Sequence, residues 1–121
     1  GTAEEMKRMD EAVHWLKEKY GEKIEIFLAA PRIIDIHAKG VSKLDAARKL
    51  QKTLNRKLLV CVGDAENDVP MLSGADFAYC PADAILADRF ENVCNCAEGA
   101  VADVIYKKIP MILKNILDNL V

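Results

Sequence analysis

The stretch KLLVCVGDAENDVPML, residues 57–72, constrains the fold more than any other part of the chain. An apolar run, Leu58 to Val62, stops at Gly63, and three carboxylates follow at Asp64, Glu66 and Asp68. The run does not alternate apolar with polar residues, the pattern of a strand covered on both faces. Pro70 near the first position of the next segment and Gly74 after its end predict a short helix. A covered strand that turns sharply into a helix is a unit of a parallel, doubly wound sheet.

The rest of the chain reads around that unit. Residues 4–20 predict a helix, with Met6, Met9, Val13, Leu16 and Tyr20 on one stripe. KIEIFLAAPRIIDIH predicts two strand pieces, 23–29 and 32–37, interrupted at Pro31. Residues 43–54 predict a second helix, capped by Ser42 with Asp45 three residues on, and with Leu44, Ala47, Leu50 and Leu54 on its buried face. DFAYC and ENVCNC predict further short strands. The tail from Gly99 to Val121 predicts a helix with a wide apolar face, kinked or split at Pro110, which lacks a donor. From residue 43 the order is helix, strand, helix, strand, strand, helix, so the expected class is α/β with a parallel sheet. Ligands of such sheets bind beyond the carboxyl ends of the strands, where the acidic loop lies.

Composition narrows the function. A net charge of −2 over 121 residues gives no basic footprint, so nucleic acid is not an expected partner. No apolar run approaches the roughly 18 residues of a membrane span, and lysines and Asp118 interrupt the tail. The four cysteines are Cys61, Cys80, Cys94 and Cys96. They do not have the C-x₂₋₄-C spacing of a zinc site, and reduced thiols predict a cytoplasmic protein. Cys94 and Cys96 share one face if their segment is extended.

Two unit charges 4 Å apart repel by about 4 kcal/mol at an effective dielectric of 20, so the acidic loop needs an answer to its charge. The plain alternative is that the carboxylates splay into water and Asp68 caps the next helix. The sharper reading is a Mg²⁺ site, since that ion takes oxygen ligands, keeps several waters and shares a phosphate oxygen. Asp64 then projects from the sheet edge as the ligand, Asp68 supports a metal-bound water, Glu66 points outward and Asn67 donates to phosphate. Lys43 opens the helix that leads into this strand, where the helix dipole disfavours a cation. A right-handed crossover puts helix N-termini and strand C-termini on the same side of the sheet, so Lys43 is expected near the loop.

These residues resemble the C-terminal portion of a haloacid dehalogenase-superfamily phosphatase, in the Cof-like branch with an α/β cap. The pattern is a lysine opening a helix, a strand, then G-D-x-x-N-D-x-x-M-L: here Lys43, then Gly63, Asp64, Asn67, Asp68, Met71 and Leu72. ADFAYCPADA and CAEGAVADVI resemble the family's following strand and late helix start. The resemblance implies a partial Rossmann-like sheet with a cap remnant, residues 1–38 being the end of the cap and the return linker and 39–121 the C-terminal part of the core. It implies that Lys43 stabilises the nucleophile and the transferring phosphoryl group, Asp64 is a Mg²⁺ ligand, Asp68 supports its water shell, and Asn67 contacts the phosphate of a small phosphorylated metabolite.

The family's nucleophile and general acid lie in an N-terminal D-x-D. The nearest approach here is Asp35-Ile36-His37, without the second carboxylate. The expectation is a fragment that holds the electrostatic part of a hydrolase site and is inactive alone. The alternative is a non-catalytic module that pairs with another chain, or with itself, through exposed sheet edges.

Overall fold

The computed structural model describes residues 2–30 and 33–120. The expected break at Pro31 lies outside them. Helix α1, Thr2–Tyr20, leads into β1, Ile24–Ala30, and β2, Ile33–Ala38. The two strands pair antiparallel, with Ile24 opposite Ala38 and Phe27 opposite Asp35.

Helix α2, Lys43–Thr53, begins where the sequence predicts, because Ser42 closes its first turn. The Ser42 hydroxyl accepts from the Asp45 N–H at 3.0 Å and donates to the Asp45 carboxylate at 2.8 Å. The helix ends where Asn55 takes a left-handed φ of 50° and the Arg56 N–H returns to the Gln51 carbonyl.

Three short strands follow: β3, Val60–Val62; β4, Phe77–Pro81; and β5, Glu91–Val93. They form one parallel sheet in the order β3-β4-β5, with helix α3, Val69–Ser73, between the first two. The class is thus α/β with a parallel sheet.

Alternation along the strands divides the core between the two faces of this sheet. Tyr79 and Val93 pack with Ala100, Val104 and Ile112 of the tail, and Val60 and Val62 join them. Cys61 and Cys80 pack with Leu72 of α3 and Leu86. The apolar run in KLLVCVG therefore lacks alternation because both of its faces are met.

Four expectations need correction. β3 starts at Val60 rather than Leu58, because the Leu59 N–H donates to the Asp76 carboxylate at 2.7 Å instead of to a strand. That hydrogen bond holds the Asp76 carboxyl below its ordinary value against a smaller push from desolvation, and Arg48 at 3.2 Å adds to it. β5 stops at Val93, so Cys94 and Cys96 do not share a strand face: the Cys94 N–H donates to Asp103 and the Cys96 N–H to Asp83.

The expected buried face of α2 is open at its C-terminal end, where Leu50 and Leu54 are 59% and 54% exposed, while Leu44 and Ala47 are half-buried. Of the α1 stripe, Met6 and Tyr20 are exposed and Met9, Val13 and Leu16 half-buried, whereas most of the tail's apolar face is exposed, with Val104 and Ile112 buried.

The tail itself splits into α4, Ala100–Asp103, a π turn, Val104–Lys108, and α5, Ile109–Asp118. Pro110 lacks an N–H and its ring crowds the carbonyl four residues back. The wider turn, with the Ile109 N–H reaching the Val104 carbonyl, accommodates it without ending the helix.

Candidate active site

The site grows from the end of β3. The Gly63 N–H still bonds to the Tyr79 carbonyl at 3.2 Å, prolonging the sheet by one link. The chain then turns through a single 3₁₀ turn, Glu66–Asp68, into α3. Asp68 folds back beneath the turn and is only 6% exposed. A Cβ at position 63 would lie 2.6 Å from the Asp68 Cβ, so glycine is required there for space.

Both Asp68 oxygens are engaged. Oδ2 accepts from the N–H groups of Asp64 at 3.1 Å and Ala65 at 3.4 Å. Oδ1 accepts from Lys43 Nζ at 2.5 Å, across 25 residues of sequence. Burial alone would push the Asp68 carboxyl up. The Lys43 and backbone hydrogen bonds together outweigh it and hold the group below its ordinary value. Lys43, at the unfavourable first position of α2, is thereby compensated by a buried anion. The plain alternative fails for Asp68, which neither splays into water nor makes a side-chain cap to α3.

Glu66 is exposed and paired with Arg89, whose Nη1 donates to both carboxylate oxygens at 2.9 and 3.2 Å. Two of the three loop carboxylates are thus matched by cations. The Asp64 side chain is exposed and has no hydrogen bond or ion pair among the described residues. It lines a cavity of about 260 Å³ with Val62, Gly63, Pro81 and Gly99, at the carboxyl ends of β3 and β4.

The donor set suits Mg²⁺ in one specific way. Among the described residues no three His, Cys, Asp or Glu side chains cluster as a protein-built cage. A free, exposed carboxylate beside a cavity fits an ion that takes one or two carboxylates and completes its shell with water and phosphate. Asp64 is the residue that would hold it.

Asn67 is half-buried, and its Nδ2 donates to the Asp35 carboxylate of β2 at 2.9 Å. The structure therefore joins Lys43 to Asp68 directly and puts Asp64 and Asn67 on the same loop between β3 and α3. It records no contact between Lys43 and Asp64. Two participants are new, Asp35 and Arg89. Asp35 entered the sequence reading only as an incomplete D-x-D, and spacing gives no sign that a residue 32 positions earlier meets the turn.

The haloacid dehalogenase-like hydrolase family matches residues 2–105. No curated protein matches the chain. Among solved structures, a HAD/COF-like hydrolase from Plasmodium vivax is 30% identical with a TM-score of 0.65, over 83% of this chain and 37% of its own. A protein from Thermotoga maritima is 32% identical with a TM-score of 0.53, over 65% of this chain and 30% of its own. A protein from Eubacterium rectale is 27% identical with a TM-score of 0.57, over 73% and 35%. The chain spans about a third of the length of these solved proteins. With 104 of its 121 residues inside the family match (2–105), the chain belongs to the haloacid dehalogenase-like hydrolases.

Proposed function

We propose that this chain is the phosphate-stabilising part of a Mg²⁺-dependent phosphohydrolase that acts on small phosphomonoesters through an aspartyl-phosphate. The observation that carries the reading is the unmatched Asp64 carboxylate beside a Lys43–Asp68 pair, at the carboxyl end of a parallel sheet. Mg²⁺, when bound at Asp64, supplies positive charge to phosphate oxygens. Asp68 holds Lys43 and the loop amides and supports the water shell. Lys43, with its side chain 44% exposed, retains donors for the transferring phosphoryl group and its nucleophile. Asn67 has two N–H hydrogens, one of them directed to Asp35, and the second is available to phosphate.

The covalent step forms a bond from a carboxylate oxygen to phosphorus as the ester oxygen leaves. Water then cleaves the acyl phosphate. The sequence has no D-x-D to supply that carboxylate with its acid–base partner. On this reading residues 1–38 end a cap and 39–121 belong to the core, and four free thiols accord with a cytoplasmic setting. No described helix is long and apolar enough to cross a membrane.

The chain alone is expected not to hydrolyse p-nitrophenyl phosphate with Mg²⁺. Turnover that disappears in Asp64→Ala would overturn the assignment of the nucleophile elsewhere. A second reading, a non-catalytic module that pairs with another chain or a second copy, is favoured by the exposed leucines at and beyond the end of α2, Leu50, Leu54 and Leu58. A strictly monomeric, well-folded chain in light scattering would count against it.

A further inference from the structure

We propose that Asp35 is a positioning residue for the phosphate site: it fixes the orientation of the Asn67 side-chain amide, so that the β1–β2 hairpin takes part in building a site otherwise made by the parallel sheet. The proposal rests on the phosphate role of Asn67 given above. The contact is a 2.9 Å hydrogen bond between two half-buried side chains, from Asn67 Nδ2 to Asp35 Oδ2.

The chemistry of the partner makes the contact directional. An ionised carboxylate only accepts, whereas an amide has a donating and an accepting end. Asp35 therefore selects the rotamer that turns the Asn67 NH₂ toward it, and the flipped rotamer would set two acceptors against each other. One N–H is spent on Asp35 and the other is held at a defined angle to it. Without Asp35 the amide can present its carbonyl, which repels a phosphate oxygen.

Neighbouring contacts make the arrangement stiff. Asp35 sits in the middle of β2, opposite Phe27 of β1, so its backbone is fixed by a ladder. Asn67 lies between Glu66, tied to Arg89, and Asp68, tied to Lys43. The amide is thus held from both sides. Beside it the hairpin and the loop enclose a small cleft lined by Phe27, His37, Lys43, Asn67 and Met71.

The test uses the full chain, ¹⁵N-labelled, titrated with inorganic phosphate in the presence of Mg²⁺, and reads the Asn67 side-chain NH₂ resonances. Asp35→Val keeps a strand-favouring residue but removes the acceptor. It is expected to shift those resonances before phosphate is added and to weaken phosphate binding about fivefold, the loss of one net hydrogen bond. Asp35→Asn keeps an acceptor oxygen and is expected to recover most of the affinity.

Unchanged Asn67 resonances and affinity in Asp35→Val would overturn the proposal. If Asn67→Ala weakens binding while Asp35→Val does not, the phosphate role of Asn67 stands and the role of Asp35 falls. If Asn67→Ala leaves binding unchanged, or the unsubstituted chain shows no phosphate response, the phosphate reading fails and takes this proposal with it. Should Asp35→Val not fold, the unsubstituted chain decides: one Asn67 Nδ2 hydrogen should exchange with solvent more slowly than the other, and equal exchange would refute the contact.

Discussion

Asp68→Ala is expected to destabilise the fold by about 3 kcal/mol, an estimate from three lost hydrogen bonds to a carboxylate with the ion-pair part discounted for the exposure of Lys43. Asp68 is nearly completely buried, and its two oxygens answer Lys43, Asp64 and Ala65 at once. Alanine leaves two loop amides without their acceptor and the first residue of α2 without its counter-charge. For a domain of this length the melting temperature should fall by about 10 °C. Asp68→Asn retains an acceptor for the amides and should lose less, about 1 kcal/mol. Thermal unfolding of the three proteins checks the order, and an unchanged midpoint in Asp68→Ala would show that the loop is held by something else.

Gly63→Ala has an effect of similar size for a different reason. The new methyl group would meet the Asp68 Cβ at 2.6 Å and its Cγ and Oδ2 at 2.9 Å. The Cβ is bonded to the backbone, so no rotamer of Asp68 moves it aside. Overpacking of this kind costs about 1–3 kcal/mol, and displacement of Asp68 adds the loss of its contacts. The two positions should therefore be coupled. Asp68→Ala keeps the offending Cβ and should not relieve the clash, whereas Asp68→Gly removes it. In the Asp68→Gly background, Gly63→Ala is expected to cost less than half of what it costs in the unsubstituted protein. Equal costs in the two backgrounds, measured by denaturant unfolding, would contradict the close approach.

The features legible in the sequence were those set by local chemistry. Ser42 and Asp45 mark the start of α2, Pro70 and Gly74 bracket α3, and Pro110 follows a π turn in the tail. The unalternating run before Gly63 signals a strand with two covered faces. Lys43, expected near the acidic loop, meets it at Asp68.

Three features were not legible, each for a physical reason. Apolar periodicity tells which face of α2 wants cover, and it does not tell whether this chain supplies the cover; Leu50 and Leu54 are open. The Asp76 carboxylate that shortens β3 acts through a side chain, which a backbone pattern does not register. Asp35 and Arg89 reach the loop across 32 and 23 residues of sequence, and such pairings are set by how the hairpin and the β4–β5 connection pack. Arg89 also supplies part of the answer to the loop's charge. It pairs with Glu66 and Lys43 pairs with Asp68, while the Asp64 side chain has no cationic partner among the described residues.

The central claim is that Asp64, Lys43 and Asn67 face one Mg²⁺-assisted phosphate. The measurement that tests it most directly is an NMR titration of the chain with inorganic phosphate, with and without Mg²⁺, alongside Asp64→Ala. The account predicts that phosphate shifts the Lys43 and Asn67 side-chain signals, that Mg²⁺ strengthens the response, and that Asp64→Ala abolishes the Mg²⁺ effect while the fold persists. A phosphate response indifferent to Mg²⁺ and to Asp64, or one confined to residues away from this loop, would contradict it.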